Sequence, residues 1–231
     1  MMKGMLLFIL MLLSTMVFSQ EEISIALEKA PVNIHDTASI KRGAVFFARN
    51  CEMCHTMIYL RYDSLAIKSG VLYSRMPINV KTWPLNIRPP DLSLEASRRG
   101  VDWIYTYLHS FYLDTQRPTG WNNLLFLNTA MANIFAPYQG QQIRLPLNEV
   151  GAKIYSRAYQ WYDLLELQTP GSLTPEQFDA VITDVVNFLA YASEPYKIDQ
   201  EKLGYWVLGF LIILFILIYR LKREYWKKLE K

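Results

Sequence analysis

Cysteine and histidine are scarce in this chain: two and three residues among 231. Two cysteines cannot make a disulfide-stapled scaffold. A strong charge of either sign is also missing, since 24 basic residues stand against 21 acidic ones, a formal net +3. That total hides an uneven distribution. Residues 220–231 hold six Lys or Arg against two Glu, whereas residues 20–219 carry 17 basic against 19 acidic groups, a net −2. A nucleic-acid binder with a basic body is excluded on that arithmetic. The charged share is only 19% and the apolar share reaches 52%, which excludes disorder and collagen-like repeats. There is no internal repeat and no low-complexity tract. The length predicts one domain, or one domain with appendages.

What is present in excess is apolar surface, and it gathers at the two ends. Lys3 precedes an uncharged run at 5–13, and small residues follow near Ser19. A basic start, a short apolar middle and a small-residue cut site describe a secretory signal peptide over 1–19. Nine to fourteen such residues are too few to cross about 30 Å of hydrocarbon, so cleavage is expected and the body, 20–202, is exported. Near the other end, 203–219 contains seventeen residues without a charge. At about 1.5 Å per residue that run is long enough to span a bilayer with help from its flanks. Tyr205, Trp206 and Tyr219 stand where interfacial aromatics belong, with Lys202 and Arg220 able to snorkel outward. The basic tail, 220–231, is held in the cytoplasm by the positive-inside rule. Both ends predict a periplasmic domain tethered to the bacterial inner membrane by one helix.

The body reads as short helices between long irregular stretches. Ile40, Gly43, Ala44 and Phe47 recur at helical spacing and predict a helix over about 37–50, capped by Asp36 or Thr37. A second strong helix starts at Thr174, where Gln177 completes a capping box and Pro175 sits in the first turn. Its apolar face is Phe178, Val181, Ile182, Val185, Phe188 and Leu189, and Pro195 ends it. Between them lie a short piece near 92–99 stopped by Gly100, and a longer one at 102–113. Residues 69–90 and 118–151 show little periodicity, and loops of that length need something to pack on.

The two cysteines stand together as C-E-M-C-H, Cys51 and Cys54 with His55 directly behind. Three chemistries use such a pair. A thiol-redox site needs only C-x-x-C. Zinc would need two further N or S ligands, and only His35 and His109 remain, at no recognisable spacing. Covalent attachment of a c-type haem uses both thiols for the two vinyl groups and the adjacent imidazole for the iron. The histidine favours the haem, as does export, and a large apolar disc would give the long loops a core. One motif means one haem c. The sixth position of its iron is then open or filled, and a methionine thioether would raise the potential and suit electron transfer. Outside the leader and the attachment loop, Met76 and Met131 are the candidates. Met131 is favoured because Thr129, Ala130, Ala132 and Asn133 around it are small enough to approach a flat ligand.

Further stretches carry a family resemblance. P-P-D-L-S (89–93), D-W-I-Y-T-Y-L-H-S-F-Y (102–112), R-P-T-G-W-N-N (117–123) and the aromatic-bearing anchor ending K-R-E-Y-W-K resemble bacterial cytochrome c1, the haem subunit of the quinol–cytochrome c oxidoreductase (bc1) complex. The resemblance covers nearly all of the chain past the leader, in order. It implies a mainly α, class I cytochrome c-like haem domain with long loop insertions and one C-terminal transmembrane helix. It implies a crossing of the first and last core helices, with Gly43 and Phe47 facing Val185 and Phe188. It places the sixth ligand on Met131, where family members carry a following proline and this chain has Ala132. By position Arg99 would contact a haem propionate, and the Pro89–Pro90 turn would accept the second ring proton of His55, making Pro90 part of the haem pocket. The resemblance further implies no enzyme activity for the chain alone. It implies cytochrome b and Rieske iron–sulfur partners, a cytochrome c acceptor and a dimeric complex.

Overall fold

The computed structural model describes residues 24–72, 87–146 and 159–227. In chain order these form α1 (Thr37–Asn50), a 3-10 turn (Ile58–Leu60), α2 (Ser64–Lys68), α3 (Glu95–Arg99) and α4 (Val101–His109). Strands β1 (Phe111–Leu113) and β2 (Trp121–Asn123) follow, then α5 (Ala136–Gln139), β3 (Gly140–Arg144), α6 (Trp161–Leu164), β4 (Leu165–Pro170), α7 (Pro175–Ser193) and α8 (Lys197–Lys227). The architecture is mainly α, with a long apolar helix at its C-terminal end. The leader, Met76 and the last residues of the tail, Lys228 and Lys231 among them, lie outside the described residues.

The fold is organised by one helix crossing, α1 on α7. The Asp36 carboxylate caps α1 by accepting the Ser39 N–H at 3.0 Å. At the head of α7 the Thr174 hydroxyl and the Gln177 side chain cap each other's backbone N–H groups, and Pro175 occupies the first turn. Ile40, Ala44 and Phe47 of α1 are buried against the Ile182, Val185 and Phe188 face of α7. The Phe47 and Phe188 rings meet at 5.5 Å. Burying each such side chain contributes about 1.5–3 kcal/mol. Gly43 marks the closest approach: a methyl group there would overlap the Asp184 carbonyl and press on Phe188. The polar groups trapped at this seam are matched. Asn187 donates to the Ser39 hydroxyl at 2.7 Å, Ser39 donates to Asp184 at 2.6 Å, and Asn187 also accepts the Asn33 N–H at 2.7 Å. Helices α3 and α4 pack on α7 as well.

Three findings differ from the expectations. The segment expected as one helix over 102–113 stops at His109 and continues as β1, paired antiparallel to β2 with Phe111 opposite Asn123. The side chains of later residues end the helix. Asn123 donates to the Tyr107 carbonyl at 2.8 Å, and Gln142 donates to the carbonyls of His109 and Phe111 at 2.9 and 3.0 Å. The stretch without periodicity also holds β3, which pairs antiparallel with β4 beyond it and is bulged between Gln141 and Gln142. Finally, the anchor helix exceeds the uncharged run at both ends. Its 31 residues reach about 46 Å, none of them is buried, and it is long and apolar enough to cross a membrane.

Candidate functional site

The C-E-M-C-H motif coils off the end of α1. Cys51 caps that helix through its N–H on the Phe47 carbonyl at 2.8 Å, and the N–H groups of Cys54 and His55 both fold back on the Cys51 carbonyl. The turn buries Cys51 and leaves Cys54 partly exposed. Burial pushes the Cys51 thiol up to about 12, with a further push from Cys54, and burial raises Cys54 as well. Both sulfurs are therefore thiols at neutral pH. A disulfide oxidoreductase needs the reverse, a thiolate lowered by positive neighbours or a helix N-terminus.

His55 is nearly buried, and its Nδ1 lies 2.8 Å from the Pro90 carbonyl oxygen. A carbonyl only accepts, so Nδ1 carries the proton and donates. Burial lowers the imidazole below its ordinary value, against the opposing pull of the Pro90 carbonyl, Glu95 and Asp91. The result is a neutral ring whose Nε2 lone pair has no partner among the described residues, the form that binds a metal. The segment behind His55 is stitched to P-P-D-L-S. The Asp91 carboxylate accepts from the Thr56 hydroxyl at 2.6 Å and the Ile58 N–H at 2.9 Å, and the Leu92 N–H donates to the Thr56 carbonyl at 3.0 Å. Burial pushes the Asp91 carboxyl up, but the hydrogen bonds from Thr56, Ile58 and Ser93 outweigh it and hold the group below its usual range.

Met131 lies in the loop between β2 and α5. Asparagine side chains shape that loop: Asn122 accepts the Asn128 N–H at 2.8 Å, and Asn123 accepts the Leu125 N–H at 2.9 Å. Arg117 clamps Asn128, which adopts a left-handed backbone, through the Asn128 side-chain and backbone oxygens. The Met131 sulfur lies 3.6 Å from the Tyr107 hydroxyl. Tyr107 stacks on Trp103 at 4.9 Å, and Trp103 in turn carries the Arg99 guanidinium at 4.1 Å. Arg99 also pairs with Glu95 at 2.8 Å, and its side chain is 28% exposed, so it is neither free in solvent nor fully enclosed. Glu95 acts electrostatically on both His55 and Tyr107. His55 with Pro90 thus forms one group of contacts, and Arg99, Trp103, Tyr107 and Met131 form a second.

The model of the cytochrome C1 family matches residues 81–229, well over half of the chain. Among curated proteins, cytochrome c1 of Allochromatium vinosum is 37% identical over 222 residues, covering 87% of this chain and 88% of that protein. Cytochrome c1 of Blastochloris viridis is 38% identical over 251 residues, at 87% and 84% coverage. This chain belongs to the cytochrome c1 family. A third relative, 33% identical over 224 residues at 89% and 90% coverage, is the ammonia monooxygenase gamma subunit of Nitrosomonas europaea. Cytochrome c1 is a haem electron-transfer subunit of the bc1 complex. The residues here fit such a group: a neutral imidazole whose Nε2 has no partner among the described residues, two adjacent thiols at a helix end, and a thioether in a shaped loop. Two residues beyond Met131, the buried Asn133 amide nitrogen has no hydrogen-bond acceptor among the described residues, as suits a pocket for a ligand with anionic groups. Sequence reasoning did not single out Tyr107, Thr129, Asn122 or Asn123 as loop-shaping groups. The R-P-T-G-W-N-N motif contained the last two, but their partners are fixed only by the fold.

Proposed function

We propose that the chain is the electron-transfer subunit that takes single electrons from a Rieske iron–sulfur protein and passes them to a cytochrome c. Cys51 and Cys54 would hold one haem c through thioether bonds, with His55 and Met131 as its axial ligands. Bound there, the haem supplies a one-electron iron couple whose potential the thioether raises. The work of the protein is to hold and tune. Pro90 fixes the His55 ring, Asp91 fixes the segment behind it, and Arg99, braced by Glu95 and Trp103, would offer its charge to a propionate. The single observation that carries this reading is the buried His55, its Nδ1 committed to the Pro90 carbonyl, directly behind Cys51 and Cys54 at the end of α1.

The same reading assigns 1–19 to a cleaved signal peptide, 20–202 to a periplasmic haem domain, 203–219 to the anchor and 220–231 to a cytoplasmic tail. It places the chain in the bacterial inner membrane beside cytochrome b, in a dimeric complex, with no enzyme activity on its own. The net −2 of residues 20–219 favours a basic cytochrome acceptor and a rate that falls as salt rises. The test is purification from membranes with Cys54→Ser and Met131→Leu beside the unaltered chain. Expected are co-purification with cytochrome b and the Rieske protein, loss of stable holoprotein in C54S, and a sharp fall in potential with carbon monoxide binding in M131L. An unchanged potential in M131L would move the sixth ligand to Met76 or another group.

A further inference from the structure

Helix α1 carries Lys41, Arg42 and Arg49 and no acidic residue, on a body whose residues 20–219 sum to −2. Arg42 is accounted for, since its guanidinium grips Asp184 at 2.6 and 2.7 Å. Lys41 and Arg49 are exposed and have no carboxylate partner among the described residues. A cation in the last turn suits the helix dipole, which explains Arg49 alone; Lys41 lies in the N-terminal half, where the dipole offers it nothing. The two stand on one stripe of the helix with Val45 between them, at i, i+4 and i+8. Beside that stripe a groove of about 600 Å³ opens between α1, α7 and the loop entering α7. Its floor is the half-buried Val45, Phe46, Leu173 and Val181. Asp184, the one carboxylate in the lining among the described residues, is already shared by Arg42 and Ser39. The groove therefore sets two unbalanced positive charges around an apolar floor.

Its walls are braced internally. The Phe46 ring stacks on Phe135 at 5.8 Å and leans on Tyr138 at 5.5 Å. The Tyr138 hydroxyl donates to the Asn50 side chain at 3.1 Å, and Asn50 donates to the Phe46 carbonyl at 2.9 Å. A surface held in shape in this way loses little freedom when something docks on it. From Lys41 to Arg49 the helix rises about 12 Å. An extended chain covers about 13 Å over four residues and turns every second side chain to the same side. We propose that this groove docks an extended acidic segment of a partner protein, patterned Glu-x-Leu-x-Glu, with its carboxylates on Lys41 and Arg49 and its leucine on the Val45–Val181 floor. Charge sets the sign of the segment, the helix rise sets its spacing, and the floor requires an apolar middle residue. The groove shares no residue with the haem site, so the two readings are tested separately.

The experiment uses the purified membrane complex with its haem and reads the fluorescence anisotropy of dye-labelled peptides. Glu-Ser-Leu-Ser-Glu is expected to bind, and more weakly as salt rises. The reordered Glu-Leu-Ser-Ser-Glu turns its leucine to the opposite side and is expected to bind roughly fivefold more weakly. Lys41→Glu combined with Arg49→Glu is expected to cost roughly tenfold for the acidic peptide and to gain affinity for Lys-Ser-Leu-Ser-Lys. The haem absorption spectrum reports that each variant has assembled. Should the charge-reversed chain fail to assemble, Lys41→Ser combined with Arg49→Ser decides, with a loss of roughly threefold expected for the acidic peptide. No binding to the unaltered chain, or binding that survives removal of both charges, overturns the proposal. Equal binding of the reordered peptide, with both peptides displaced by dodecanoate, would assign the groove to small amphiphilic anions and overturn it as well.

Discussion

The two buried histidines show how burial assigns chemistry at the scale of one residue. His55 keeps an Nε2 with no partner among the described residues, whereas the Nε2 of His109 is shut in between Asp179 and the Trp161 ring. Its Nδ1 donates to the Tyr105 carbonyl at 2.8 Å, and Nε2 lies 3.6 Å from Asp179 beneath the Trp161 ring. Burial lowers the His109 pKa from 6.5, opposed by the Tyr105 carbonyl, Asp179 and Glu28. A histidine depressed in the folded state takes up its proton earlier in the unfolded chain. Its contribution to stability is therefore complete above about 6.5 and is lost as pH falls from there through the folded value. Replacing it by phenylalanine, His109→Phe, should flatten that acid limb, read as the unfolding midpoint against pH; an unaltered slope would show that His109 does not titrate with folding. The local arrangement of the candidate site was legible in part from the sequence. Cys51, Cys54 and His55 needed only adjacency, since one turn of chain brings them together. Tyr107 and Thr129 were not legible, because a phenol at helical spacing looks like core until the fold sets a sulfur beside it.

Local rules read the helices well and the strands poorly. The α1 and α7 boundaries follow from Asp36, Thr174 and Pro175, whose side chains cap a helix wherever it goes. Strand β1 was read as helix because the carbonyl partners that end α4 come from Asn123 and Gln142, far along the chain. The α1–α7 crossing offers a prediction in which two rules oppose each other. By helix propensity alone, Gly43→Ala should stabilise α1 by about 1 kcal/mol. The seam has no space for the methyl group beside the Asp184 carbonyl, and overpacking costs about 1–3 kcal/mol or more. Packing wins, so G43A should lower the thermal midpoint of the holoprotein. A rise in that midpoint would show that the helices do not meet at Gly43.

For the whole molecule, the separation of body and anchor matters most. No residue of α8 is buried, and the ion pair of His35 with Glu201 at 3.8 Å is an exposed one, worth little in water. The α1–α7 core closes before α8 begins. A chain ended before Leu203 is thus expected to be soluble and to keep its haem, checked by its absorption spectrum after release from the periplasm. A truncated domain that loses haem would mean that the anchor supports the site. The central claim is the covalent haem, and its most direct measurement is a mass spectrum of the tryptic peptide spanning residues 50–61, from protein purified out of its native membranes and extracted with acidified acetone. The expected peptide carries the mass of one haem on Cys51 and Cys54. A peptide whose two cysteines are free, or joined to each other, would contradict it.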